Sequence, residues 1–292
     1  MRDTINVWVA GARPNTLPAA LAPVLAGAAV PAFSGVYDWP LALLCFLVAL
    51  GLQIGVNYAN DYSDGVRGTD DDRVGPVRLV ASGLASGAAV KRAAFICFGV
   101  AAVAGLVIVA VTGHWWLVAV GLVCILAAWF YTGGKRPYGY LGLGELFVFV
   151  FFGLVAVSGT AYVIGDAVPP ATWAAACAIG LLASALLVVN NLRDLERDRD
   201  AGKLTLATRL GDAGTRWFYV ALVALAAVSV VVFAALTTWA ALIALLAFGM
   251  AFAPLSRMLG GATGTALIPL LRGTSMTELG VGLGLLVGTF AG

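Results

Sequence analysis

Histidine is almost missing from this chain. His114 is the only one, and it lies in a short turn between two apolar runs, away from every acidic stretch. That placement excludes a histidine-centred base or a histidine metal cage among the acidic residues. Charge is scarce as well: 11% of residues are Asp, Glu, Lys or Arg, against about 25% in an ordinary soluble domain. The four cysteines, Cys45, Cys97, Cys124 and Cys177, all sit inside apolar runs without metal-ligand spacing. They read as small buried side chains and exclude a disulfide framework. The start of the chain lacks the compact basic, apolar and small-residue order of a cleaved signal, so the first span is expected to be retained. No nucleic-acid partner is expected.

Apolar length is what the chain does have. It is 61% hydrophobic over 292 residues, with a mean hydropathy of +0.97. Nine apolar spans are predicted, at about 17–33, 40–59, 93–111, 115–131, 146–164, 171–189, 217–236, 239–254 and 276–291. The spans at 17–33 and 239–254 are short or interrupted. The fold expected is an all-alpha polytopic membrane bundle of nine transmembrane helices, forming one domain over residues 1–292. With the amino terminus in the cytoplasm, the inner stretches are the N-tail, 60–92, 132–145, 190–216 and 255–275, and they hold all 17 Lys and Arg residues. The opposite loops carry Asp38, His114 and Asp166 and no basic residue, a bias that supports this orientation. The protein is therefore expected in a cell membrane, embedded in lipid, with 60–92 and 190–216 as its main cytoplasmic loops.

Both of those loops open on an acidic cluster. The first is Asn57-Tyr58-Ala59-Asn60-Asp61-Tyr62-Ser63-Asp64, and the second is Asn190-Asn191-Leu192-Arg193-Asp194-Leu195-Glu196-Arg197-Asp198. On a helix prolonged past the membrane, Asn57, Asn60, Asp61 and Asp64 share one broad face, as do Asn190, Asn191, Asp194 and Asp198. Carboxylate and amide oxygens suit Mg²⁺, a hard ion that keeps waters and binds substrate phosphates. The expected metal set is Asn60, Asp61, Asp64, Asp70, Asp194 and Asp198. A diphosphate held there would find Arg67, Lys135, Arg136, Arg193 and Lys203 for its remaining oxygens. Glu145, at the foot of the fifth span, either hydrogen-bonds a site group or ends the helix. The alternative for each cluster alone is a solvated helix end that sets topology; two on one side favour a shared site.

These motifs resemble the intramembrane prenyltransferases that attach isoprenoid chains to aromatic acceptors. The matching stretches are Asn60-Asp61-Tyr62-Ser63-Asp64 and Asp194-Leu195-Glu196-Arg197-Asp198, and the likeness runs from Arg13-Pro14 to the last span. Arg13-Pro14-Asn15-Thr16-Leu17, Tyr131-Thr132-Gly133-Gly134, Gly142-Leu143-Gly144-Glu145 and Gly202-Lys203-Leu204-Thr205-Leu206 are similar to the branch that uses 1,4-dihydroxy-2-naphthoate. One departure is Gly68, where the general pattern has a third Asp; Asp70 follows instead.

The resemblance implies Mg²⁺-dependent transfer of a polyprenyl group from polyprenyl diphosphate to 1,4-dihydroxy-2-naphthoate, with loss of carbon dioxide, giving demethylmenaquinone. Asp61, Asp64, Asp194 and Asp198 are then the catalytic carboxylates. Asn57, Arg67, Tyr131, Lys135, Arg136, Glu145, Asn190, Asn191, Arg193 and Lys203 are the substrate-binding set. A dry wall of Tyr131, Phe147, Phe149, Phe151 and Phe152 would shield the allylic cation. Competing classes are a prenyltransferase of the same fold with another acceptor, a secondary transporter, a lipid phosphotransferase, and a purely structural membrane protein.

Overall fold

The computed structural model describes residues 2–68 and 77–292, with side chains from Asn6 onward. Among these residues the structure is entirely helical. The order is α1 (Arg2–Ala12), a 3-10 turn at Pro14–Thr16, α2 (Pro18–Phe33), α3 (Trp39–Arg67), α4 (Gly87–Thr112) and α5 (Leu117–Phe130). A 3-10 turn at Tyr138–Tyr140 leads to α6 (Gly144–Val148), a π-helical turn over Phe149–Val155, and α7 (Ala156–Gly165). Then come α8 (Pro170–Arg193), α9 (Leu195–Asp200), α10 (Leu206–Leu236), a 3-10 run over Trp239–Ala251, α11 (Phe252–Leu259) and α12 (Ile268–Ala291).

Each of the nine apolar runs falls on helix. Seven helical spans are long and apolar enough to cross a bilayer by themselves among the described residues. An eighth arises if the segments Asn6–Thr16 and Pro18–Phe33, bent by 47°, form one span. Leu117–Phe130, at 14 residues, is the short one. The run at 239–254 looked too short as an α-helix. At a 3-10 rise of roughly 2.0 Å per residue, Trp239–Ala251 alone reaches about 26 Å.

Small residues set the packing. Apolar side chains gain little by leaving lipid for one another, so close backbone approach must supply the contact. Gly280, Gly284 and Gly288 form a stripe on α12, and a Cβ at each would press on Ala247, Ala244 and Ala241 of the 3-10 run. On another face of α12, Gly282 meets Ala22 of α2. α8 is the most enclosed span. Its alanines join α2, α10 and α12 in the larger core around Ile179, Leu182, Phe233 and Leu285. A second core, around Tyr58, Leu79, Val90 and Phe98, joins α3, α4 and the segment before α4.

Local signals position the ends that matter. Asp38 caps α3, its Oδ1 accepting the Leu41 amide at 2.8 Å. Gly68 takes a left-handed φ of 73° and stops α3 just past Asp64. Thr205 caps α10 by accepting the Thr208 amide.

Replacing Gly284 with Leu should force α12 off the 3-10 run and destabilise the bundle by about 1–3 kcal/mol. Gly99→Ala, where a Cβ meets nothing within 4 Å, should leave stability unchanged. Thermal unfolding in detergent checks both; equal melting temperatures would remove the small-residue stripe from the account.

Candidate active site

The two acidic motifs stand at the same end of the bundle, and the loop between α5 and α6 ties them together. α3 carries the first motif beyond the apolar part of the helix. Asn57, Asn60, Asp61 and Asp64 are all buried there. Asn57 Nδ2 donates to the Ala12 carbonyl at 2.9 Å and to Thr16 Oγ1 at 3.2 Å, fastening the turn between α1 and α2 to α3. Asn60 Oδ1 accepts from Thr132 Oγ1 at 2.8 Å. Asp61 grips the segment before α4: Oδ2 accepts the Leu79 amide at 2.8 Å and Oδ1 the Val80 amide at 3.0 Å. That grip places Arg78, whose Nη2 lies 3.7 Å from Asp64 Oδ2.

The second motif crosses a break. α8 ends at Arg193 and α9 begins at Leu195, so Asp194 is the hinge residue between them. The expected four-residue spacing survives, because the Asp194 amide still reaches the Asn190 carbonyl and the Asp198 amide the Asp194 carbonyl. Arg193 holds Asp194 with both Nε and Nη2, at 2.9 and 2.8 Å. Lys203 Nζ is 3.8 Å from Asp198 Oδ1, and its own amide donates to the Asp198 carbonyl at 2.7 Å.

Tyr140 joins the motifs. Its hydroxyl donates to Asp64 Oδ1 at 2.6 Å, and its carbonyl accepts the Leu204 amide at 3.2 Å. Lys203 Nζ sits 4.8 Å from its ring centroid and the Arg67 guanidinium 5.4 Å. Arg67 donates to the Thr132 and Gly134 carbonyls and so pins the glycine turn. Each of three carboxylates, Asp64, Asp194 and Asp198, therefore has its own cation: Arg78, Arg193 and Lys203.

An aromatic row borders this cluster. Tyr131 packs on Tyr138, Tyr138 on Phe147 and Phe147 on Phe151, with centroids 5.5, 4.1 and 6.0 Å apart. Tyr131 lies in the electrostatic field of Glu145, Asp64 and Asp198. Burial pushes the Tyr138 hydroxyl above its ordinary pKa, so it stays a donor, to the Ala127 carbonyl at 2.8 Å. Phe149 and Phe152 depart from the expected wall. Phe149 packs against Gly180 of α8, and Phe152 joins the larger core. Glu145 is buried, with Oε1 accepting from Asn191 Nδ2 at 2.8 Å. Asn190 Nδ2 donates to the Leu186 carbonyl within α8. Lys135 and Arg136 are exposed and make no ion pair among the described residues. Asp70 lies outside the described residues, as do Asp71 and Asp72.

Tyr140, Thr132 and Arg78 were not singled out as site residues from the sequence. Thr132 fell within the stretch Tyr131-Thr132-Gly133-Gly134, whereas Tyr140 and Arg78 lay in no such motif. Among the described residues no three acidic, histidine or cysteine side chains converge on one point. The donors fit Mg²⁺ nonetheless, since that ion takes few protein carboxylates and fills its sphere with waters and phosphate oxygens. Hard oxygens from Asp64, Asp194, Asp198 and Asn60 are of the right kind.

Asp61→Ala should free the segment before α4. Hydrogen exchange at the Leu79 and Val80 amides should then rise by at least tenfold, as loss of a hydrogen bond to a charged group is worth about 1.5–3 kcal/mol. Unchanged protection at both amides would contradict this role.

The family model of the UbiA prenyltransferase family matches residues 20–267. The 1,4-dihydroxy-2-naphthoate octaprenyltransferase of Mycobacterium tuberculosis is 51% identical over 272 residues, covering 93% of this chain and 92% of that protein. The enzyme of the same description from Escherichia coli is 42% identical over 223 residues, 74% of this chain and 72% of its own. Among solved structures, a digeranylgeranylglyceryl phosphate synthase superposes with a TM-score of 0.64 at 17% identity, over 99% of both chains. A UbiA homologue from Archaeoglobus fulgidus, solved with DMAPP and Mg²⁺, gives a TM-score of 0.60 at 16% identity, over 96% of this chain and 99% of that one. These structural likenesses fix the fold.

Proposed function

The chain belongs to the UbiA prenyltransferase family and is a membrane enzyme of that family, and from that premise we propose that it transfers a polyprenyl group from polyprenyl diphosphate to 1,4-dihydroxy-2-naphthoate, releasing carbon dioxide and forming demethylmenaquinone. The observation that carries the reading is the set of three carboxylate–cation pairs gathered at one end of the bundle beside an aromatic row. The acceptor follows the relatives whose likeness extends over nearly the whole chain.

The residues divide the work. Asp64, Asp194, Asp198 and Asn60 hold Mg²⁺, which when bound neutralises the diphosphate and stabilises its charge as a leaving group. Arg78, Arg193 and Lys203 turn from their carboxylates to phosphate oxygens. Arg67 and Tyr140 keep the turn that closes the site. Asp61 and Asn57 brace the segments on either side of α3. Lys135 and Arg136 are placed to attract the anionic substrate rather than to bind it tightly. Tyr131, Tyr138, Phe147 and Phe151 keep water from the allylic centre while the carbon–oxygen bond breaks. The isoprenoid tail lies in the bilayer and enters from the side.

The topology belongs to the same reading. The whole chain acts as one domain with nine crossings: the seven long spans, the bent pair and Leu117–Phe130. The amino terminus and the loops 60–92 and 190–216 face the cytoplasm, which gathers all 17 basic residues on that side.

Purified protein supplied with Mg²⁺, a polyprenyl diphosphate and 1,4-dihydroxy-2-naphthoate should release diphosphate and carbon dioxide together. Asp64→Ala and Asp194→Ala should each lower turnover at least 100-fold, within the range for charge stabilisation at a transition state, while circular dichroism still shows a folded helical bundle. Diphosphate release with no carbon dioxide would overturn the acceptor; near-normal turnover in either variant would overturn that residue's role. For topology, cysteines placed at Gly68 and Lys203 should resist an impermeant reagent in intact cells, and one at Gly292 should react. Outside labelling at both loops would reverse the orientation.

A further inference from the structure

Glu145 is a buried acidic residue at this end of the bundle and has no ion pair among the described residues. It opens α6 and is 4% exposed. Two contacts from α8 fix it: Asn191 Nδ2 donates to Oε1 at 2.8 Å, and Ser184 Oγ donates to its peptide carbonyl at 3.0 Å. The second carboxyl oxygen, Oε2, is buried with no hydrogen-bond partner among the described residues. A buried carboxylate oxygen without a donor is costly to keep, by about 1–3 kcal/mol or more. A ligand that supplies the donor is one way to satisfy such an atom.

The surroundings say which ligand. A Cβ on the neighbouring Gly144 would lie 3.4 Å from the Tyr131 hydroxyl, so Glu145 adjoins the head of the aromatic row. Tyr131 in turn lies in the electrostatic field of Glu145, Asp64 and Asp198, so this one ring is shared by the carboxyl and the charged cluster. A flat aromatic molecule packed beside Tyr131, at the head of the row, would bring a ring hydroxyl to this edge. The π-helical turn at Phe149–Val155 follows directly; such widened turns recur at functional sites.

We infer that Glu145 is the catalytic base of the acceptor half of the reaction, its Oε2 taking the proton of the aromatic hydroxyl. This rests on the reading proposed above. The balance is simple. The hydroxyl proton passes to Oε2, and the ring carbon ortho to that oxygen, the one that bears the carboxylate, bonds to the allylic carbon. The carbon–oxygen bond of the prenyl diphosphate breaks, and its electron pair leaves with the diphosphate. Carbon dioxide departs from the ring, and the proton returns from Glu145, so the aromatic diol is restored with no oxidant or reductant. Asn191 is a positioning residue: it holds Oε1 and leaves Oε2 turned to the acceptor.

Glu145→Gln is the discriminating variant, because its amide oxygen still accepts from Asn191 while its nitrogen cannot take a proton. Its kcat for prenyl transfer should fall at least 100-fold, in the range typical of general-base catalysis. The KM for the prenyl diphosphate, the melting temperature and the Mg²⁺-dependent binding of a non-hydrolysable prenyl diphosphate analogue should stay at wild-type values. Glu145→Asp, which keeps a base, should recover part of the lost rate. Full turnover in the Gln variant overturns the proposal, and so does an equal loss of analogue binding, which marks a structural role. The two readings fail separately. A wild-type protein that does not prenylate 1,4-dihydroxy-2-naphthoate refutes the acceptor, whereas an active wild type with an equally active Gln variant refutes the base.

Discussion

Carboxylates can stand at the rim of an apolar bundle only with counter-charge close by, and that requirement organises this end of the molecule. Each unpaired charge there would lose hydration without compensation. Asp64, Asp194 and Asp198 are each matched by a basic side chain, and the bracing hydrogen bonds exist to keep those matches in place. Asp61 holds the Leu79 and Val80 amides, which fixes Arg78; the Lys203 amide bonds the Asp198 carbonyl, which fixes Lys203. On the proposed reading this has a consequence for binding order. A diphosphate alone would draw the cations away and strand the carboxylates, and a metal alone would strand the cations. Arriving together, they exchange partners with every charge still compensated. The ground-state ion pairs are therefore a reason for the reaction to need its metal and its anion as one unit.

The aromatic row answers a different demand. An allylic cation is short-lived beside water, and the same end of the bundle must be wet enough to admit ions. Ring contacts from Tyr131 to Phe151, edge-on at Tyr131 and stacked beyond, form an apolar border next to the charged cluster. Glu145 lies at the boundary, buried among apolar groups yet hydrogen-bonded by Asn191. Its peptide is anchored to α8, the most enclosed helix. A group that must meet one hydroxyl of one substrate gains from such a rigid mount.

The helices and the acidic motifs were legible in the sequence because both depend on local pattern. Apolar runs near 20 residues place spans, and acidic residues one turn apart place a polar face. Tertiary roles were not legible. Asp61 and Asp64 differ by three positions and look alike in the sequence, yet one braces backbone amides while the other meets Tyr140 and Arg78. Tyr140 carries no motif of its own; its importance comes from the loop that sets it between Asp64 and Lys203. Lys135 and Arg136 were expected among the phosphate contacts because they lie in the basic turn. There it is Arg67, reaching across from α3, that binds the turn's carbonyls. The short span near 239 was doubtful because its 3-10 winding, and hence its reach, depends on what it packs against.

The two motifs are rooted in different cores, and this bears on how the site works. Asp64 projects from α3, which shares a core with α4 and the Leu79 segment. Asp198 follows Leu192 and Leu195, which belong to the core of α2, α8, α10 and α12. The α12 side of that larger core is locked by glycines against alanines, a contact with little room to slide. Among the described residues, polar contacts that span the two cores at the charged end include the Tyr140 hydroxyl and carbonyl, the cation contacts on its ring, and Asn57 with Thr16. These are polar contacts that can be remade without repacking either core. On the proposed reading, a substrate held by carboxylates from both motifs adds a further link between the two sides.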